Sequence, residues 1–483
     1  MLMEQSKLLL FLVLCLLIGK SNYMLHAQTA QSSLPIEFST SQLDFEKFIA
    51  MVKENHPIAK QAGIVMETGR ATVLKARGNF DPKIVGDKRI KEFQGKKYYD
   101  NNQLTFKIPT WYGISLEGGF YRNEGNYLNR ADIIPNDGLY AAGVSIDLLQ
   151  GSWINERMAT LKMAKAFQKQ TLAEREIILN NLLYEAALSY FNWLKEQQNY
   201  AAVLAVTQTA RERYKGIQQL VNEGERAAID SIEAKALIQD REMTLLKTQI
   251  ALNSSKLKVS NFLWSENEIP LELMDETEAE AVDHIGLDFG LMQLKDSLDR
   301  IELKNNPKLK ALNAKVEQLA IDKNLKINGL LPKLKLNYNL INEQPIQNTP
   351  LDIGQYKGGL SFSMPLFLRK ERGALRLAKL KLSDALYTYD LENIKLKNKL
   401  RELFFKWQNN QEMLTVSNEV VKANKKLLKA EERKFYLGES SLFMVNSREQ
   451  KYLSVQLKQN ESLNQLLTTK VTLLNTLMLP IIN

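Results

Sequence analysis

Two stretches of this chain, from Gly151 to Gly224 and from Leu366 to Gly438, run without a proline. Read as helices at a rise of 1.5 Å per residue, each would be about 105 to 110 Å long, and a rod of that length does not fit inside a globule. In the second stretch Leu377, Leu380, Leu386, Tyr389, Leu396, Leu400, Leu403 and Trp407 recur at three- and four-residue steps, with Lys381, Asp384, Asp390, Glu392, Lys395 and Lys399 between them. Such spacing suits coiled packing, and taken alone it suits an ordinary helix-bundle core equally well. The helical patterns that follow, about 225–264 and 439–479, cover only some 40 residues, roughly 60 Å. Helices opened by Pro57 and Pro307 would add about 22 residues each, so a return helix and a pre-strand helix stacked end to end nearly match one long helix. The counting predicts a bundle of antiparallel rods of constant cross-section.

The two rods belong to two copies of one pattern. "YAAGVSIDLLQGSWINERMATLKMAK" from Tyr140 parallels "YKGGLSFSMPLFLRKERGALRLAKLK" from Tyr356, placing Gly143 on Gly359 and Ser145 on Ser361. Upstream, "ENHPIAK" at Glu54 parallels "NNPKLKA" at Asn305, each with a proline where a helix has a backbone donor to spare. Downstream, Gly224 and Gly438 each separate two long helical patterns. The chain reads as a tandem duplication: residues 1–27 a signal peptide, 28–264 the first repeat, 265–290 an acidic linker and 291–483 the second repeat. Pro57 to Gly143 is 86 residues whereas Pro307 to Gly359 is 52, so the first repeat carries an insertion around 78–140, including "EFQGKKYYDNNQ".

Between helices the apolar residues alternate. Leu104, Phe106, Ile108, Tyr112, Ile114, Leu116 and Phe120 share one side of what reads as a single strand, opposite Ser115 and Glu117. Leu334, Leu336, Tyr338 and Leu340 lie opposite Lys333, Lys335, Asn337 and Asn339, and Leu360 and Phe362 opposite Ser361 and Ser363. A soluble sheet with one packed face gives this pattern, and so does a membrane barrel with a lipid-facing exterior and a wet interior. Four main strands per chain cannot close a barrel, for which about eight is the lower limit, so a barrel would need several chains. On that reading Leu336, Tyr338, Leu360, Phe362, Ile114 and Leu116 face lipid.

Residues 1 to about 27 read as an export signal: Lys7 precedes an apolar run from Leu8 to Ile18, and Leu25-His26-Ala27 resembles a cleavage end. Cys15, the single cysteine, falls within that run, which leaves an exported chain without disulfides or thiolate metal sites. No later segment has the roughly 18 consecutive apolar residues of a spanning helix, so strands must make any membrane crossing. The charge of +9 comes from 64 basic and 55 acidic residues intermixed along helices, which points to solvated faces and away from nucleic acid.

Nothing points to catalysis. Apart from His26, the histidines are His56, against Pro57, and His284, in the linker, neither with a nearby metal or triad partner. There is no GxSxG, HExxH or phosphate loop. Linker carboxylates such as Glu272, Asp275 and Glu278 lack the spacing of a calcium loop and read as a solvated connection. No enzyme, no metal and no cofactor are expected. The residues leave two readings open, a passive duct and an elongated periplasmic or surface coiled-coil protein, structural or adhesive, whose sheet packs on itself.

The duplicated order, the "AAGVSIDLLQGSWINER" and "GGLSFSMPLFLRKER" junctions, the "NHP" and "NNP" helix starts and the two glycine tips resemble the TolC family of outer-membrane efflux and secretion ducts, over about Leu43 to Met478. The resemblance implies a mainly α fold: long antiparallel coiled-coil helices forming an α-barrel, plus four strands per chain contributing to a trimeric, twelve-stranded transmembrane β-barrel. It implies a homotrimer in outer-membrane lipid with a long periplasmic extension, serving as the exit duct of a tripartite efflux or type I secretion system. It implies a periplasmic adaptor and an inner-membrane pump as partners, and a gate at the tips. Gly224 and Gly438 are then tip turns, and Arg433 and Lys434 candidate adaptor or inter-helix contacts. The family's entrance aspartates are replaced after Gly438 by Met444 and Ser447; Asp230 and Glu233, after Gly224, are the candidate lumen charges.

Overall fold

A computed structural model describes residues 36–38, 41–280, 303–344 and 352–481; the expected signal segment, His284 and residues 281–290 of the expected linker lie outside them. The first repeat runs through β1 (Ile36–Phe38), β2 (Gln42–Leu43), α1 (Phe45–Asn55), α2 (Pro57–Arg77), β3 (Lys83–Phe93), β4 (Lys96–Pro109), β5 (Ile114–Glu124), β6 (Leu139–Asp147), α3 (Glu156–Asn222) and α4 (Ala228–Ser260). After β7 (Leu271–Leu273) and β8 (Glu278–Ala279) the second repeat follows: α5 (Pro307–Asn328), β9 (Lys333–Asn342), β10 (Tyr356–Ser363), α6 (Arg369–Tyr436) and α7 (Leu442–Leu477).

Helices α3 and α6 have 67 and 68 residues, about 100 Å each. Helix α3 starts at Glu156, since Asn155 accepts the Met158 N–H at 2.9 Å and so caps the first turn. One face of α3 packs along α2 and α4, another along α5 and α7, and α6 packs along α5 and α7. The rods therefore form a layer whose open flanks are α2 with α4 on one side and α6 on the other.

The short helices stack end to end as the counting requires. His56 caps α2, accepting the Ile58 N–H at 3.1 Å, and its ring lies 5.8 Å from that of Phe262, just past α4. Asn306 caps α5 and donates Nδ2 to the Thr476 carbonyl, near the end of α7, at 3.1 Å. Beside these junctions lies the main core, where Phe45, Phe48, Tyr190, Phe191 and Trp193 of the first repeat meet Leu403, Phe404 and Trp407 of the second. Trp193 and Trp407 are 214 residues apart, as are Gly224 and Gly438, so the duplicated rods keep one register from core to tip.

Residues 265–280 of the acidic connection are folded, in contrast to the solvated segment expected. β7 pairs with β1 and β8 with β2, both parallel, while Leu273, Thr277 and Ala279 are buried. Glu280 accepts the Phe45 N–H at 3.0 Å at the start of α1, where a carboxylate suits the helix dipole. Buried Tyr190 ties the wrap to α3, donating to the Leu43 carbonyl at 2.7 Å and accepting the Glu280 N–H at 2.9 Å.

The sheet is antiparallel and curled, with strand order β10-β9-β6-β5-β4-β3. Six strands stand where four were expected, because the insertion forms a hairpin, β3–β4, closed by Gln94 and Gly95 with φ 53° and 69°. Both values are left-handed, as a tight two-residue turn requires. The supposed single strand over 104–120 is β4 and β5, folded back at residues 110–113.

Candidate functional site

Both tips end in one motif. Gly224 and Gly438 have φ 77° and 78°, and Glu225 N–H and Glu439 N–H reach back to the carbonyls of Leu220 and Lys434, each at 2.9 Å. Gly224 and Gly438 N–H bond to Val221 and Phe435, both at 3.1 Å. These paired bonds use up the last helical carbonyls and demand a left-handed residue, for which glycine carries no Cβ penalty. The return helix α7 is capped by Ser441, whose Oγ accepts the Met444 N–H at 3.3 Å, and Ser440 donates across the turn to Glu431 at 2.6 Å. That hydrogen bond holds the Glu431 carboxyl below the usual carboxylate range.

The tip residues singled out from sequence fall into two groups. Arg433 and Lys434 are exposed on the last turn of α6. Asp230 and Glu233 are half-buried and engaged: Arg226 lies 3.7 Å from Asp230, and Asn446 donates to Glu233 at 3.2 Å. Arg226 also lies over the Phe435 ring, 4.8 Å from its centre, so one guanidinium connects the first tip to the second.

Above the tips sits a buried ionic knot that sequence reading did not find. Glu449 of α7 is fully enclosed; its Oε2 accepts from Arg213 of α3 at 2.7 Å and its Oε1 lies 3.8 Å from Arg241 of α4. Arg213 also reaches Glu432 of α6 at 3.6 Å and Asn446 at 3.4 Å. Burial pushes the Glu432 carboxyl up, against the pull of Arg213. Arg241 is itself buried, and its Nε and Nη2 have no hydrogen-bond partner. Four helices are thus held by charges that cannot be separated without leaving one of them dry and alone.

The membrane candidates share one face. Cross-strand partners Ile84, Phe106, Gly118, Ala142, Leu340 and Tyr356 form one row, and Lys83, Lys107, Glu117, Gly143, Asn339 and Lys357 the adjacent row on the opposite face. Leu336 pairs with both Ile146 and Leu360, Ile146 with Ile114, and Leu116 with Val144, which pairs with Tyr338. Leu360 and Phe362 are 65% and 66% exposed, so the apolar face is not packed on itself as a self-contained rod would require. On the polar face the loop after β5 leans inward, Asn123 donating to the Asp132 carbonyl at 2.8 Å beside a cavity of about 410 Å³. No helix among the described residues is long and apolar enough to cross a membrane, and none of them cluster as a metal site.

Residues 300–477 match the family described as outer membrane efflux protein. The fold of the whole chain is similar to solved outer-membrane channels. OprN superposes with a TM-score of 0.64 at 15% identity, covering 90% of each chain. CmeC of Campylobacter jejuni gives 0.63 at 14%, covering 90% of this chain and 85% of that one. VceC of Vibrio cholerae gives 0.63 at 13%, covering 90% and 96%. No curated protein matches the chain by sequence. The second repeat is thus similar to the outer membrane efflux protein family, in line with the resemblance read from the residues, and the fold class is borne out: helical rods with a curled antiparallel sheet.

Proposed function

We propose that three copies of this chain form the outer-membrane exit duct of a tripartite efflux or type I secretion system. On this reading residues 1–27 direct export, the strands anchor the duct in lipid, and the helices extend it into the periplasm. Cargo passes without bond chemistry. The observation that carries the reading is the pair of open flanks on the helix layer. Ile229, Ile232, Met243, Leu246, Ile250 and Leu257 form an exposed apolar stripe on α4, and Leu377, Leu380, Tyr387, Leu391 and Ile394 one on α6. Steps of three, four, seven and eleven residues, each close to whole helical turns, mark such stripes as helix-packing seams. A monomer would leave them in water; a ring in which α6 of one copy meets α2 and α4 of the next covers both.

The tips serve as gate and docking end. The knot around Glu449 holds α3, α4, α6 and α7 together, and opening requires it to loosen. Arg433 and Lys434, exposed beside Gly438, meet the periplasmic adaptor that links the duct to an inner-membrane pump. Asp230 and Glu233 border the entrance with charge already shared with Arg226 and Asn446, giving a weakly acidic ring.

Electron microscopy of the detergent-purified protein tests the reading, with a tall, open, threefold cylinder as the expected result. Compact monomers would overturn it. As a second check, Leu336→Arg is expected to cost about 2 to 4 kcal/mol at the membrane centre and to reduce assembly, whereas assembly unchanged from the parent would argue against a lipid-facing sheet.

A further inference from the structure

The hairpin β3–β4 has no counterpart among the described residues of the second repeat, and its outer strand is one free edge of the sheet. We propose that this hairpin is part of the barrel wall, so that three copies of six strands close an eighteen-stranded cylinder in which β10 of one copy pairs with β3 of the next. The inference rests on the trimeric duct proposed above and adds the contact that closes it.

Strand direction permits the contact. The ladder is antiparallel at every step, so after six strands β10 and β3 run in opposite senses and a β10–β3 pairing between copies continues it. Both edges also carry the same two faces. Ile84, Gly86 and Ile90 continue the apolar face on β3, with Lys88 the one charge between them, and Tyr356, Leu360 and Phe362 continue it on β10.

The stagger of the sheet fits closure. Lys83, the first residue of β3, lies in the same row as Lys357, near the start of β10. From that row β10 extends 363 − 357 = 6 residues toward the helices, while β3 extends 93 − 83 = 10 residues the other way. A neighbouring copy displaced by six residues brings Lys83 beside Ser363, Ile84 beside Phe362, Gly86 beside Leu360 and Ile90 beside Tyr356. The displacement is even, so apolar side chains stay outside; an odd one would turn them into the lumen. Three such displacements give a shear of about 18 residues over eighteen strands; at about 3.3 Å rise and 4.8 Å spacing the tilt is about 35°, within the range of closed barrels.

The base of the hairpin is fixed at the level where the strands meet the helices. Trp111, in the turn between β4 and β5, stacks on Phe80 with ring centres 5.2 Å apart, and its carbonyl accepts Nδ2 of Asn155, the cap of α3, at 3.0 Å. A Cβ on Gly113 in the same turn would meet the Gly151 carbonyl at 2.7 Å. An appendage outside the wall would not need this seat. The wider cylinder, about 34 Å across against about 23 Å for twelve strands at the same tilt, also leaves room for the loop leaning onto the polar face.

Val85→Cys combined with Ser361→Cys, adjacent on the inner face in this register, tests the contact in the full-length protein, and high-resolution imaging of the same particles counts the strands. The expected results are covalent dimers and trimers on non-reducing gels from the double variant, none from either single variant, and eighteen strands. Twelve strands with the hairpin outside the wall would overturn the inference and leave the trimeric duct standing, and so would failure of Ser361→Cys to cross-link with cysteines at any of Lys83, Val85 and Asp87. Particles with no cylinder at all would overturn the duct itself, and this inference with it.

Discussion

Asn306 and Thr476 join two helices into one column. The Asn306 amide accepts the Lys308 N–H at 3.0 Å, capping α5, and donates to the Thr476 carbonyl at 3.1 Å, capping the end of α7. One buried side chain satisfies orphan groups of opposite sign at two helix ends.

Asn306→Ala should therefore cost more than an ordinary cap, about 1 to 3 kcal/mol, because a buried carbonyl loses its donor as well. Asn306→Asp keeps the acceptor and should fall between the two. Thermal unfolding followed by circular dichroism ranks the three proteins, and equal stability of all three would remove the joint.

The first repeat makes the same joint with His56, whose ring burial holds it below its ordinary value near 6.5. The unfolded chain then binds the proton more tightly, so stability present above about pH 6.5 is lost as pH falls toward the lowered folded value. His56→Asn, which copies the second repeat, should flatten that part of the stability profile between about pH 7 and 5. An unchanged slope in the variant would assign the pH dependence to other groups.

Removing Glu449 leaves buried Arg241 with a single, solvent-exposed counter-charge, Asp240, at 4.0 Å. Glu449→Ala is expected to destabilise the tip region by about 3 to 5 kcal/mol, to speed proteolysis near residues 222–228 and 437–441, and to raise channel conductance. Replacing the pair together, Arg241→Met with Glu449→Leu, should recover most of the protection, since no dry charge remains between them. Protection equal to that of the parent in Glu449→Ala would mean that the knot holds nothing.

Glycine matters differently at the tips and in the sheet. Gly224→Ala and Gly438→Ala meet open space and pay only for the left-handed backbone, about 1 to 2 kcal/mol, with assembly retained. Gly143→Ala would drive its Cβ into the Tyr338 carbonyl, between β6 and β9, and should reduce the yield of assembled particles. Assembly assays on all three variants separate a torsional effect from a collision.

Much of this architecture could be read from residues. Proline-free rods, glycine tips and the Pro57 and Pro307 helix starts are local signals, and each marks a real boundary. Strands β4 and β5 read as one for a geometric reason: Pro109 pairs with Ser115 across five intervening residues, an odd number, so residues of the same parity, such as Ile108 and Ile114, keep the same face on both sides of the turn. The knot escaped because Arg213, Arg241 and Glu449 carry no shared pattern; 28 residues separate the first two and 208 the last two, and only helix packing brings them together. Leu377 and Leu380 matched a core stripe but are exposed, since among the described residues no helix packs on that side of α6.

The mid-height belt of Tyr190, Trp193 and Trp407 has a mechanical consequence. Because α4 and α7 stop there while α3 and α6 pass through, leverage applied at the tips turns about this collar, and the sheet end stays still while the tip end flexes. Amide exchange should show it as a slow band around those three aromatics, with quick exchange confined to the tip end.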